Sequence, residues 1–184
     1  GASSAAGTAA GGTLNIMLET EVQSLDPQIA TDGTSFEVIA DYTDGLMQMD
    51  ADGQAVPAIA ESYDLSDDGL TYTFHLRTDA KWSNGDDVTS ADFKNTIVRA
   101  LDPNCKSGYS SMLYPIAGAE EMYNGTGDES GLGVDTSDDK TIVFNLKEPC
   151  AYFEQLFVLP VYMPTHRELQ TETNGDWAMG NDMD

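Results

Sequence analysis

The sequence predicts an α+β fold, and three observations carry the prediction. Leu70, Tyr72, Phe74 and Leu76 alternate with Thr71, Thr73 and His75, the period of a strand with one buried face. The same logic returns downstream, where Ile142, Phe144 and Leu146 alternate after an acidic turn at Asp138-Asp139. Between them a helix begins at Thr89 or Ser90 as N-cap and carries Phe93, Ile97, Val98 and Leu101 along one face.

The elements follow in order. Thr13 to Leu18 (TLNIML) reads as a short apolar strand. Pro27 then holds Asp26 extended and turns the chain. Gln28 to Ser35 is a polar loop, and Thr34 or Ser35 caps a helix over Phe36 to Tyr42, with Phe36, Val38, Ile39 and Tyr42 available for burial. Leu46 to Met49 is a strand and Asp50 to Gly53 a turn. Glu61 to Leu65 pairs with Leu70 to Leu76 across Asp67-Asp68-Gly69, where glycine takes a positive φ cheaply. Arg77 to Asp87 has no period but holds Lys81, Trp82 and the turn Asn84-Gly85.

Asp102-Pro103-Asn104 stops the capped helix. Cys105 to Tyr114 is a loop, Ile116 to Tyr123 a short helix, and Asn124 to Gly133 another loop. Gly133 to Leu146 forms the second hairpin, and Glu148-Pro149 opens a helix from Cys150 to Val158. Leu159 to Pro164 is an apolar connector.

At 184 residues the chain makes one large domain or two small ones, with the 40% hydrophobic and 9% aromatic content of a globular core. Eight Lys+Arg against 32 Asp+Glu leave a net charge of −24, which argues against nucleic acid and anionic membrane as partners. No apolar run reaches the length of a membrane span. Residues 1–12 (GASSAAGTAAGG) read as a flexible linker with neither the basic nor the apolar region of a signal peptide.

Catalytic chemistry finds no support. Asp64 to Gly69 matches the start of a calcium loop, but the twelfth position is His75 rather than Glu, and a hairpin turn explains it better. Asp135 to Asp139 is a second acidic turn. Asp86-Asp87 and Glu120-Glu121 are sequence neighbours that point apart, as solvated faces do. There is no nucleophile elbow, phosphate-cradling loop or zinc motif. The residues imply neither an enzyme nor a cofactor.

The run from Ala60 to Phe93, AESYDLSDDGLTYTFHLRTDAKWSNGDDVTSADF, resembles the signature of the bacterial extracellular solute-binding proteins that include the oligopeptide- and dipeptide-binding proteins. Tyr63 stands where that family has Trp. Glu21 to Pro27 matches its E-V-x-S-L-D-P, and Cys105 to Tyr114 (CKSGYSSMLY) resembles its T-x-S-P-Y-A-x-x-L, with Gly108 replacing Pro. The resemblance runs from Thr13 to about Trp177. It implies the N-terminal part of a two-lobed periplasmic-binding-protein-like fold. Residues 13–43 would start the first lobe, 44–160 form the extra subdomain of the peptide-binding family, and 161–184 return toward the first lobe and stop, as in a fragment.

The function this resemblance implies is the substrate-binding component of an ABC importer that captures extracellular oligopeptides. Its partners would be a peptide and the permease subunits. Its place would be the outer face of the cell membrane, through a lipid anchor absent from this chain, or the periplasm. Residues 1–12 fit the spacer of such a lipoprotein, or a cloning scar. The loop Ala30, Thr31, Asp32, Gly33 and Thr34 would lie along the peptide, where backbone pairing recognises many sequences, although a surface turn explains the same residues. Tyr109 would border a side-chain pocket, and Leu159 would lie close to the same cleft. With the second lobe missing, such a chain binds weakly and is open to self-association.

An exported chain with Cys105 and Cys150 permits one disulfide between ends of helices flanking one sheet; the alternative is two buried thiols. Rival functions are a nickel, haem or sugar binder of the same family, or a stand-alone one-lobe interaction module.

Overall fold

The computed structural model describes residues 15–166. The linker over residues 1–12 and, of the expected return over 161–184, residues 167–184 lie outside the described residues. Within them the order is α1 (Gly33–Tyr42), β1 (Met47–Met49), β2 (Ala55–Pro57), β3 (Ala60–Leu65), β4 (Thr71–Leu76), α2 (Ser90–Leu101), α3 (Ala119–Tyr123), β5 (Val134–Asp138), β6 (Thr141–Asn145) and α4 (Phe153–Leu156).

Both expected hairpins form, and they join. The four-stranded antiparallel sheet has the order β3-β4-β6-β5, so the inner strands β4 and β6 come from different hairpins. Tyr72 sits opposite Phe144 and Phe74 opposite Ile142, which sets the apolar positions of both strands on one face. That face and Phe93, Ile97, Ala100 and Leu101 of α2 belong to one core. Phe157 seals it, with its ring centroid 4.7 Å from Phe74 and 4.9 Å from both Phe144 and Phe153. The tip of the second hairpin docks on the start of α2. Ser90 N–H donates to Asp139 O at 2.9 Å, Ser90 Oγ to Asp138 O at 2.6 Å, and Lys140 Nζ to Val88 O at 2.8 Å.

Thr89 is the N-cap of α2, and its N–H donates to Asp92 Oδ2 at 2.8 Å. The acidic turn before β4 is spent internally: Asp68 Oδ1 accepts from Ser66 Oγ at 2.6 Å and from Leu70 N–H at 3.1 Å.

Five expectations about local structure and burial are corrected. Residues 15–18 are irregular, and Met17 is 94% exposed, because no described strand runs beside them to complete a ladder. Helix α1 starts at Gly33 with Asp32 as its cap, rather than Thr34 or Ser35, since the Asp32 carboxylate reaches the Ser35 N–H. Tyr42 on that helix stays half-exposed, its hydroxyl donating to Leu25 O. Helix α3 begins only at Ala119, because Ile116 is bridged to Leu146 and Gly118 has φ 76°. The expected helix over Cys150 to Val158 shrinks to Phe153–Leu156, flanked by turns that fold Phe153 and Phe157 onto the core.

Cys105 and Cys150 are separate free thiols, not a disulfide. Their surroundings differ. Cys105 lies near Arg99, Asp26 and Asp102, whereas Cys150 lies near Tyr152, Tyr72 and Tyr162.

Candidate ligand-binding site

The stretch from Ser24 to Thr34 is shaped by its own hydrogen bonds. Gln28 N–H donates to Asp26 Oδ1 at 2.9 Å, and Ala30 N–H donates to Asp26 O at 2.9 Å. This tight turn drives Ala30 inward, against Ile39 and Met163, and leaves Thr31 exposed. Asp32 then caps α1, with its carboxylate held below the usual range by the Ser35 hydroxyl first and the Ser35 N–H second. Gly33 and Thr34 form the first turn of the helix rather than a free loop. Thr34 Oγ1 shares a hydrogen bond with Thr20 Oγ1 at 2.8 Å.

Beneath this turn lies a buried polar centre. Asp26 is fully buried, and Arg99 of α2 meets both of its carboxylate oxygens, Nη1 to Oδ1 at 2.8 Å and Nη2 to Oδ2. Nη1 also donates to Gln28 Oε1 at 2.9 Å, Gln28 Nε2 to Met163 O at 3.0 Å, and Thr165 Oγ1 to Gln28 Oε1 at 3.2 Å. Burial works against the Arg99 cation, but the hydrogen bonding and charge of Asp26 outweigh it and hold its pKa above the ordinary value. The centre fastens the turn to α2 and to residues 163–165.

The loop after α2 supplies the other side. Lys106 is left-handed at φ 56°, and Ser107 is buried with a hydroxyl that has no partner among the described residues. A Cβ at Gly108 would come within 2.7 Å of Thr31 Cγ2, so the two segments touch. Tyr109 meets Phe36 of α1 edge-on, with ring centroids 5.3 Å apart. Burial raises the Cys105 thiol against the pull of Arg99.

The fold therefore brings the Ala30–Thr34 segment together with Tyr109. It does not bring Leu159 into that group: Leu159 heads the short turn Pro160–Tyr162 and packs at the edge of the main core. Trp82 also packs against that core, and its Nε1–H donates to Asp92 Oδ2 at 3.3 Å. Sequence reasoning missed Asp26, Gln28, Arg99 and Thr165 as a unit. The one available signal was Arg99 itself, a basic residue in the last turn of the helix in a chain with only 8 Lys+Arg. Thr31, the Tyr109 ring and the exposed main chain between them offer hydrogen bonds and a flat apolar surface. Among the described residues no group of three His, Cys, Asp or Glu could hold a metal ion.

Comparison with known proteins adds an independent line. Residues 54–182 match the family described as bacterial extracellular solute-binding proteins, family 5 Middle. The chain is 41% identical over 165 residues to the oligopeptide-binding protein OppA of Bacillus subtilis, covering 90% of this chain and 30% of that protein. It is 39% identical over 160 residues to the periplasmic oligopeptide-binding protein OppA of Escherichia coli, covering 86% of this chain and 29% of that one. Among solved structures, an oligopeptide ABC transporter substrate-binding domain of Bacillus anthracis superposes with a TM-score of 0.85 at 35% identity, covering 88% of this chain and 31% of that one. OppA of Listeria monocytogenes bound to peptide gives 0.83 at 35%, covering 86% and 31%. The chain thus spans about a third of the length of the relatives it matches.

Proposed function

Because the chain belongs to family 5 of the bacterial extracellular solute-binding proteins, we propose that it supplies one wall of a cleft that captures oligopeptides for an ABC importer. The observation that carries this reading is the contact of Thr31 with Gly108 and of Phe36 with Tyr109, which sets two exposed segments from distant parts of the sequence side by side. Main-chain groups of the Ala30–Thr34 segment pair with the main chain of an extended peptide, which every peptide shares, and Tyr109 lines a space for one of its side chains. The complete receptor works outside the cell membrane, lipid-anchored or periplasmic, and hands its peptide to permease subunits. The opposite wall belongs to a chain of the relatives' length.

Calorimetry with a mixed peptide library tests the reading on this chain and on a version extended to the relatives' length. Binding is expected from the long version and none from this chain, since ligand sites bury most of the ligand's surface. In the long version, Tyr109→Ala should weaken binding by about tenfold, or ~1.4 kcal/mol. Equal affinity in both versions would overturn the two-lobed mechanism. Full affinity after Tyr109→Ala would remove this site from it.

A further inference from the structure

We infer that Asn124 is a site of spontaneous deamidation, and that the fold protects Asn84, which stands in the same Asn-Gly sequence. In this reaction the main-chain nitrogen of the following glycine, after losing its proton, attacks the asparagine side-chain carbonyl carbon. The side-chain nitrogen leaves as ammonia, and a five-membered succinimide remains. Water then opens either of its two carbonyls, giving aspartate or isoaspartate. Glycine in second place favours the attack because it has no Cβ to obstruct it.

The structure treats the two asparagines differently. Asn84 Nδ2 donates to Asp86 Oδ2 at 2.8 Å, and its Oδ1 accepts from Asp86 N–H at 3.0 Å. The nucleophile is tied as well: Gly85 N–H donates to Trp82 O at 2.9 Å. Trp82 N–H donates to Asp86 O at 2.9 Å, and Lys81 and Asp87 flank the turn as an ion pair at 2.7 Å. Attack at Asn84 must break all of this turn at once.

Asn124 is exposed, and its side-chain amide makes no hydrogen bond among the described residues. It is the C-cap of α3, a helix of 5 residues, so the end that must open is short and weakly held. Among the described residues one bond restrains the nucleophile, from Gly125 N–H to Met122 O at 3.1 Å. Gly125 is left-handed at φ 71°, and among the described residues nothing beyond its chain neighbours would lie within 4 Å of a Cβ there, so the turn has room to move.

The product changes the surface. Aspartate adds a negative charge at the C-terminal end of α3, beside Glu120 and Glu121, where the helix already presents its carbonyls. Isoaspartate adds a methylene to the main chain just before Thr126 and Gly127, whose N–H groups both donate to Glu121 O, at 2.9 and 3.0 Å. Either product loosens the turn that leads into β5.

Incubating the folded chain at mildly alkaline pH, followed by peptide mapping, reads the mass gain of about one dalton at each asparagine separately. A third Asn-Gly, Asn174-Gly175, lies outside the described residues and reports in its own peptide. In denaturant, Asn84 and Asn124 should convert at similar rates. In the folded chain, Asn124 should convert at least about tenfold faster than Asn84, and Asn124→Gln should abolish that signal. Native Asn84 converting as fast as Asn124 would overturn the protective role of its turn. Native Asn124 staying intact, while the denatured chain converts, would overturn the assignment of the site.

Discussion

The Arg99 guanidinium spans both carboxylate oxygens of Asp26, and Asp26 has no exposure to solvent. A buried pair of this kind is costly to break from one side, because the partner left behind keeps its charge without compensation. Arg99→Ala should therefore cost about 3–5 kcal/mol in urea denaturation. Replacing both partners by apolar residues of similar size, Asp26→Leu with Arg99→Met, should lose less than the single change. If the double variant is the weaker of the two, packing rather than charge governs this centre.

Phe74 is fully buried and touches Tyr63, Phe144 and Phe157 with its ring. Truncation to alanine removes those contacts and leaves a cavity, so Phe74→Ala should cost about 3–5 kcal/mol. A near-neutral denaturation midpoint would contradict the face assigned to β4.

Two glycines with nearly the same backbone should respond differently. Gly53 has φ 75° and nothing within 4 Å of an added Cβ, whereas at Gly118, with φ 76°, a Cβ would lie 2.1 Å from Gly131 O. Gly53→Ala should cost about 1 kcal/mol from the left-handed backbone alone. Gly118→Ala should cost more than about 2 kcal/mol, because the 118 and 131 backbones must separate. Thermal melts of the two variants compare the effects directly.

Alkaline pH should destabilise the chain through Tyr63. Its hydroxyl donates to Glu154, and that hydrogen bond, then burial, then the Glu154 charge push its pKa up to about 12. In the unfolded chain a tyrosine titrates near 10. The contribution is complete below pH 10, falls as the unfolded chain alone releases its proton, and is gone above about pH 12. Urea midpoints at pH 9 and pH 11 should therefore diverge less for Tyr63→Phe than for the parent, while Tyr72, also raised by burial, keeps part of the fall. An unchanged slope in the variant would show that Tyr63 takes no part.

What the sequence disclosed was local. The alternation from Leu70 to Leu76 and the Thr89 cap rest on neighbours within a few residues, and both stand in the structure. Glycine at 33 hid the start of α1, because a poor helix former sits where Asp32 begins its cap. The residues around Ile116 and Cys150 read as helix by their apolar content, yet pairing with Leu146 and the packing of Phe153 and Phe157 decide their conformation. At the candidate site, the Ala30–Thr34 segment and Tyr109 were nameable only through resemblance. Their contact depends on Arg99 reaching Asp26 across 73 positions of sequence, and no periodicity reports such a pairing.

The strand order has a consequence for synthesis. Tyr72 of β4 meets Phe144 of β6 across about 70 intervening residues, so the first hairpin is made long before the strand that covers its inner edge exists. At a ribosomal rate of roughly 5–20 residues per second, β4 waits on the order of 4–14 s with an apolar face and one row of main-chain groups uncovered. Loop closure over that span is also what slows folding once the chain is complete. During that interval the nascent chain is at its most vulnerable to strand pairing with a neighbour, and a chaperone that shields the segment from Thr71 to Leu76 would protect it then.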